Sequence, residues 1–154
     1  MRVAVIGGSV IDEPTYEAAS EVGRRLGERG HAVVCGGTTG VMEAVCRGAR
    51  EASPDAKTIG VLPGGDRTAA NEWVTTPIVT GMGNARNALV VMNGDAVIAI
   101  DGETGTLSEL GHALDLGLPV AGLDTHAIAL DGFEAVSTPA AAVEHVEREA
   151  ADRR

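Results

Sequence analysis

Residues 102–109, written GETGTLSE, are the segment of this 154-residue chain best suited to binding an anion. They follow the apolar run 96–100, which predicts a buried strand, so the segment leads from a strand into a helix. The free N–H groups of a helix N-terminus bind phosphate. The residues that we expect to bind it are Gly102, Thr104, Gly105 and Thr106.

Glu109 closes this segment, and the sequence leaves two roles open for it. Facing a ribose, its carboxylate could stabilise an oxocarbenium-like transition state or orient a water molecule. The order Thr106-Leu107-Ser108-Glu109 is also that of a capping box. In that case Glu109 would bind the backbone N–H of Thr106 and would only stabilise the start of the helix.

Arg86 is the second residue that could hold an anion. We predict that it lies in the first turn of a helix over residues 84–92, where the helix dipole disfavours a cation. A bound phosphate would offset this, because a guanidinium group can form two parallel hydrogen bonds with phosphate. The alternative is that Arg86 pairs with a nearby carboxylate such as Asp101 or Glu103.

Further glycine clusters follow other predicted strands. The carboxyl ends of parallel strands meet at one edge of a sheet, and open α/β sheets bind their ligands there. Each glycine would suit a tight turn equally well, and each hydroxyl a turn or a cap, so the prediction depends on their shared edge. The additional residues that we expect at this site are Gly8, Ser9, Gly36, Gly37, Thr38 and Gly40.

Strand-like and helix-like segments alternate along the chain. Apolar runs predict strands at 2–6, 31–35, 58–62, 96–100 and 119–123, with a short extended piece at 77–80. Amphipathic patterns predict helices at 12–30, from 41 to before 53, at 84–92, at 106–116 and after 139. The alternation predicts one Rossmann-like α/β domain over residues 1–154, with a mostly parallel sheet flanked by helices on both faces.

Composition excludes several classes of partner. A net charge of −10 argues against a nucleic-acid partner and is compatible with a halophilic host. The N-terminal segment reaches a glycine turn at Gly7-Gly8 after far too few apolar residues for a signal peptide or membrane span, so we expect a cytoplasmic protein without a membrane partner. Cys35, Cys46 and the four histidines lack metal-ligand spacing, so no metal site is predicted.

Three motifs, in this order, resemble those of the Lonely Guy superfamily, whose signature is a GGGxxGLM loop, an Arg-Lys pair and PGGxGTxxE. Here they read CGGTTGVM at 35–42, Arg-Asn at 86–87 and DGETGTLSE at 101–109. Within the superfamily the chain is most similar to the molybdenum-cofactor carrier-like proteins, which show GVMEAV, TGMGxARN and GTLSE. The resemblance implies a Rossmann-like fold, a nucleotide-like ligand and a homo-oligomer, either a dimer or a tetramer.

The enzymes of this superfamily split nucleoside 5′-monophosphates into a base and ribose 5-phosphate, and their motif Arg and Glu correspond to Arg86 and Glu109. The chain differs from these enzymes at three positions: Asn87 replaces Lys, Asp101 replaces Pro and Glu103 replaces Gly. The two added carboxylates lie in the loop that would hold phosphate, which favours binding without turnover.

The sequence therefore predicts a binding or carrier protein for a small phosphorylated, nucleotide-like ligand. The resemblance names the molybdenum cofactor or a nucleoside monophosphate as that ligand. The alternative is a phosphoribohydrolase in which Arg86 and Glu109 are catalytic. A purely structural module that binds a protein partner is a third hypothesis, and it leaves the glycine loops without a role.

Overall fold

The apolar runs of the sequence form the strands of one sheet. The strands are β1 (Arg2–Gly7), β2 (Ala32–Cys35), β3 (Thr58–Leu62), β4 (Thr76–Val79), β5 (Ala96–Ile100), β6 (Val120–Leu123) and β7 (Phe133–Val136). Neighbouring strands all pair in parallel, in the order β4-β3-β2-β1-β5-β6-β7. The computed structural model describes residues 1–153, and Arg154, the last residue of the predicted domain, lies outside the described residues.

The helices connect these strands and begin and end at residues that the sequence marks. They are α1 (Glu13–Glu28), α2 (Val41–Ala52), α3 (Asn87–Met92), α4 (Thr104–Asp115) and α5 (Pro139–Ala151). At the start of α1 the Asp12 side chain accepts a hydrogen bond from Thr15 N, and at the start of α5 the Thr138 side chain accepts one from Ala141 N. Gly30, with a φ of 72°, follows the end of α1.

Helices cover both faces of the sheet. Successive residues of each strand point to opposite faces, so each strand contributes to both cores. Helices α1, α2 and α5 cover the face that contains Val3 and Val5 of β1. Helices α3 and α4 cover the face that contains Ala4 and Ile6. Strands that are buried on both sides read as continuous apolar runs, which is why they could be found from the sequence. The predicted Rossmann-like α/β fold is confirmed.

Helices α1 and α2 approach each other closely because glycines line their contact. A Cβ atom at Gly48 would overlap the carbonyl oxygen of Ser20, and a Cβ atom at Gly23 would overlap that of Val45. Only glycine, which has no Cβ, permits backbones to meet in this way. The contact holds α2 in a fixed position, and α2 follows directly from the loop 36–40 after β2.

The structure differs from the predicted elements most clearly at three points. Strand β7 was not predicted, because an edge strand of four residues with two of them exposed gives no apolar run. Helix α4 begins at Thr104 instead of 106, because Gly105 lies inside the first helical turn and not in a preceding loop. The predicted helix at 84–92 is divided into a 3-10 turn at Gly83–Arg86 and the α-helix α3.

The strand order reverses between β1 and β5. From β1 the chain builds β2, β3 and β4 outward on one side, then crosses back and builds β5, β6 and β7 on the other. The connections on the two sides of this point diverge and leave a crevice outside the carboxyl ends of β1 and β5, where open α/β sheets bind ligands. None of the helices within residues 1–153 combines the length and the apolar character that crossing a membrane requires.

Candidate ligand-binding site

A cavity of about 680 Å³ lies at this reversal point. Its walls come from the segments that follow β1, β2, β3 and β5, together with the start of α4 and the residues before α3. The predicted site residues that line it are Gly8, Ser9, Gly36, Thr38, Arg86, Gly102, Thr104, Gly105, Thr106 and Glu109. Residues far apart in the sequence thus share one space.

Gly37 and Gly40 are the two predicted ligand-binding residues that do not line the cavity. Gly37 has a φ of 80° and packs against Gly60 of β3, while its N–H donates to Cys35 Sγ at 3.3 Å. Gly40 has a φ of 65° and packs against the backbone of Gly8 and Ser9 at the start of α2. Both glycines set the course of the loop 36–40 without lining the cavity. Each has a positive φ, which other residues rarely adopt.

Arg86 lies at the junction of the 3-10 turn and α3, and its side chain reaches the floor of the cavity. The residue is only 8% exposed. Its Nε donates to Val61 O at 2.9 Å and its Nη1 donates to Asn87 Oδ1. Burial lowers the pKa of Arg86, while the nearby Glu109 and Cys35 raise it. No ion pair joins Arg86 to a carboxylate within residues 1–153, so the predicted alternative of pairing with Asp101 or Glu103 was wrong.

Glu109 projects into the same space from α4 and is 7% exposed. The capping-box interpretation was wrong, because α4 begins before Thr106 and its N-cap residue is Glu103. The Glu109 carboxylate has no hydrogen-bond partner among the described residues. Burial raises the pKa of Glu109 to about 7, although the Arg86 charge acts in the opposite direction. A carboxyl group of this kind can exchange a proton near neutral pH.

The first turn of α4 presents backbone donors at the rim of the cavity. The first intrahelical hydrogen bond runs from Leu107 N to Glu103 O at 3.0 Å. The N–H groups of Thr104, Gly105 and Thr106 come before it, so they have no acceptor within the helix. The N-cap residue Glu103 adds no side-chain hydrogen bond to them. These donors and the positive end of the helix dipole suit an anion.

Two carboxylates oppose this positive end. Asp101 and Glu103 both line the cavity, and Asp101 has a φ of 53°, which is uncommon for a residue other than glycine. A Cβ atom at Gly8 would lie 2.8 Å from Asp101 Oδ2, so the absence of a side chain at Gly8 leaves room for this carboxylate. The positive charge of Arg86 therefore shares the cavity with two acidic side chains that precede the first turn of α4.

Sequence reasoning missed some of the lining. Asn84 and Pro63 were missed although each adjoins a glycine cluster: Asn84 follows Gly83 in the motif at 80–87, and Pro63 precedes Gly64 after β3. Asn87 could have been found, since it directly follows Arg86 in the motif at 80–87. The apolar part of the lining comes from β1, the residue Val10 and Met42, and Val10 is 91% exposed at the mouth.

The cysteines take no direct part in the lining. Cys35 and Cys46 are buried with their sulfur atoms 3.6 Å apart, behind the loop 36–40. Within residues 1–153 no group of three His, Cys, Asp or Glu side chains is arranged to hold a metal ion.

The reversal of strand order and the glycine-rich cavity beside it define a Rossmann-like α/β protein. The chain belongs to the SLOG cluster4 family, whose model matches residues 1–151. An uncharacterized protein of Archaeoglobus fulgidus is 37% identical over 145 residues, covering 94% of this chain and 93% of that protein. The predicted resemblance to the Lonely Guy-like superfamily is confirmed.

Two solved structures are similar over almost the whole chain. The molybdenum cofactor binding protein of the phototrophic bacterium Rippkaea orientalis has a TM-score of 0.89 and 30% identity, with 96% of each chain covered. The molybdenum cofactor carrier protein of Chlamydomonas reinhardtii has a TM-score of 0.88 and 29% identity, with 97% of this chain and 98% of that chain covered. Similarity to the carrier-like branch, predicted from the sequence, is confirmed.

Proposed function

We propose that this protein binds and carries a small phosphorylated, nucleotide-like ligand, and that the molybdenum cofactor is the first ligand to test. The observation that carries the proposal is the position of Arg86. A buried guanidinium group lines the same cavity as the unpaired N–H groups at the start of α4. Together they offer one phosphate group a cation and a set of backbone donors.

The size and lining of the cavity support a ligand larger than phosphate itself. A volume of about 680 Å³ lies within the range of cofactor and small-molecule sites. Apolar groups at Val10, Met42 and Pro63 line the same cavity. They would accommodate a flat ring system, while Asn84 would supply hydrogen bonds to its edge. Two similar proteins of known structure are named as a molybdenum cofactor binding protein and a molybdenum cofactor carrier protein.

Hydrolysis of a nucleoside 5′-monophosphate is the second candidate function, and Glu109 is the observation that favours it. A buried carboxyl group with a pKa of about 7 and no hydrogen-bond partner among the described residues could act on a ribose at neutral pH. Asp101 and Glu103 weigh against it, because they reduce the positive potential that phosphate would meet.

Ligand binding is tested by thermal unfolding with AMP, other nucleoside monophosphates and molybdopterin. We expect at least one of them to raise the unfolding temperature, and Arg86→Ala to remove most of that increase. Arg67→Ala is the matched control, because Arg67 is an exposed arginine outside the cavity. If no compound stabilises the protein, or if both variants respond alike, the binding proposal is wrong.

Incubation with the same monophosphates distinguishes the two functions. If the wild-type protein releases free base and ribose 5-phosphate and Glu109→Ala does not, the carrier proposal is wrong and the hydrolase proposal replaces it. Binding without release would support the carrier.

We further propose a homo-oligomer, a dimer or a tetramer, that is cytoplasmic and binds no nucleic acid. Light scattering on the purified protein measures the oligomeric state.

A further inference from the structure

Asn87 accepts a hydrogen bond from the guanidinium group of Arg86. Of the two arginine nitrogens that are engaged, Nε donates to the backbone at Val61 O and Nη1 donates to Asn87 Oδ1. The third nitrogen, Nη2, lies beside Gly36, where a Cβ atom would come within 2.8 Å of it. Gly36 lines the cavity, so Nη2 is the nitrogen left for a ligand.

The side-chain amide of Asn87 fits this position in only one orientation. Its Oδ1 accepts from Arg86, and its Nδ2 points to Ser108 Oγ at 3.3 Å and to Gly105 O at 3.5 Å, both longer than an ordinary N–H···O hydrogen bond. A flipped amide would set its NH₂ group against the guanidinium N–H groups, with donors facing donors. The amide therefore joins the arginine to the first turn of α4.

Glu109 is the group that would compete for Arg86 if Asn87 were absent. The two side chains are close enough to shift each other's pKa, yet no ion pair within 4 Å joins them. A guanidinium group released from Asn87 could turn towards this carboxylate. Both groups would then be withdrawn from the ligand, since a buried ion pair satisfies each charge.

We propose that Asn87 is a positioning residue, which fixes the Arg86 guanidinium and connects it to the first turn of α4, so that the cation and the helix amides hold the same phosphate group. The inference rests on the proposed function, because it specifies how the same site binds its anion. Lysine, which the related hydrolases carry at this position, has no acceptor and would not hold the guanidinium in this way.

The first experiment measures the guanidinium group itself and needs no ligand. Hydrogen bonds at Nε and Nη1 slow the rotation of the group, so the wild-type protein should show separate side-chain NMR signals for Arg86. In Asn87→Ala these signals should broaden or merge. Asn93→Ala is the matched control, because Asn93 is an exposed asparagine at the other end of α3 that bonds Leu89 O. Unchanged Arg86 signals in Asn87→Ala would overturn the inference.

The second experiment is a double-mutant cycle read by calorimetric titration with AMP. Asn87→Ala should weaken binding about 10-fold to 100-fold, as expected for loss of a hydrogen bond to a charged group. In an Arg86→Lys background the same change should have almost no effect, because lysine has no Nη1 for Asn87 to hold. A general loss of structure would weaken binding equally in both backgrounds and would contradict the positioning role.

The two experiments separate this inference from the proposed function. If AMP fails to bind the wild-type protein and the other ligands fail too, the proposed function is wrong, while the NMR signals still decide whether Asn87 holds Arg86. If AMP binds and Arg86→Ala abolishes binding but Asn87→Ala does not weaken it, the proposed function stands and the role of Asn87 is wrong.

Discussion

At the scale of single residues, Glu109 is a carboxyl group whose protonation is altered by the fold. Its carboxyl group is buried in the cavity wall, faces one cation at Arg86 and has no hydrogen-bond partner among the described residues. Removing a charged carboxylate from water is unfavourable, so the folded protein favours the protonated form. Binding of an anion near Glu109 would favour protonation further, and ligand affinity is therefore expected to fall as the pH rises through 7.

The first prediction concerns the pH dependence of stability. The pKa of Glu109 is raised from 4.5 to about 7 in the folded protein. The folded state thus binds a proton that the unfolded state has already lost, and the contribution to stability is complete below pH 4.5 and is lost as the pH rises through 7. For a shift of this size the loss is about 3 kcal/mol.

Chemical denaturation of wild type and Glu109→Gln between pH 4.5 and 8 measures this effect. The free energy of unfolding of the wild-type protein, relative to the variant, should decrease across that interval, because glutamine does not titrate. Glu17→Gln, which changes an exposed carboxyl group on α1, is the control variant. A constant difference between wild type and Glu109→Gln would mean that the pKa of Glu109 is not raised in the folded protein.

The residues of the site could be predicted only as far as their types and order allowed. Arg86 and Glu109 were identified because each lies within a recognisable motif. The hydrogen bond from Arg86 to Val61 O could not be predicted, since it joins residues on separate elements that meet only in the folded chain. For the same reason nothing in the sequence indicated that Gly37 packs against Gly60 of β3 instead of lining the cavity.

At the scale of elements, glycines have opposite effects in different helices. Gly48 of α2 lies against the backbone of α1, where a Cβ atom would overlap Ser20 O. Gly111 of α4 has no neighbour within 4 Å of the position that a Cβ would take. The same substitution should therefore have opposite signs at these two positions, because packing decides at the first and helix propensity at the second.

The second prediction follows from this contrast. Gly48→Ala should lower the free energy of unfolding by about 1–3 kcal/mol, because two backbones must separate. Gly111→Ala should raise it by about 0.5–1 kcal/mol, because alanine is the better helix former. Urea denaturation at one pH measures both. Stabilisation by Gly48→Ala would show that the helices do not pack as closely as the structure has them.

Elements with strong internal patterns were predictable, and those defined by their neighbours were not. Strands β3 and β5 have the predicted bounds, because they are short apolar runs buried on both faces. Strand β7 exists because β6 offers it an unpaired edge, a fact that its own sequence does not contain. The start of α4 was misplaced because glycine is typical of turns, whereas Gly105 lies within the helix beside Asn87.

At the scale of the whole molecule the dominant feature is excess negative charge. The chain has 22 acidic residues and 12 basic ones. Some of the basic residues are neutralised in exposed pairs such as Arg47 and Glu51, which contribute little to stability. The remaining carboxylates repel one another in the compact state more than in the unfolded chain.

The third prediction is that added salt stabilises the protein. Raising NaCl from about 0.01 M to about 0.5 M shortens the range of the repulsion between carboxylates. The unfolding temperature at pH 8 should therefore rise, and the rise should be smaller at pH 5, where some carboxylates are protonated. Scanning calorimetry measures both. A lower unfolding temperature in salt would contradict the repulsion and the halophilic-host hypothesis together.

The reversal of strand order between β1 and β5 has a consequence for synthesis on the ribosome. The loop after β1 is translated almost a hundred residues before residues 102–109, so the nascent chain has β1 to β4 long before it has a complete crevice. The early half already contains the glycine contact of α1 with α2. The cavity is complete only once translation has passed α4.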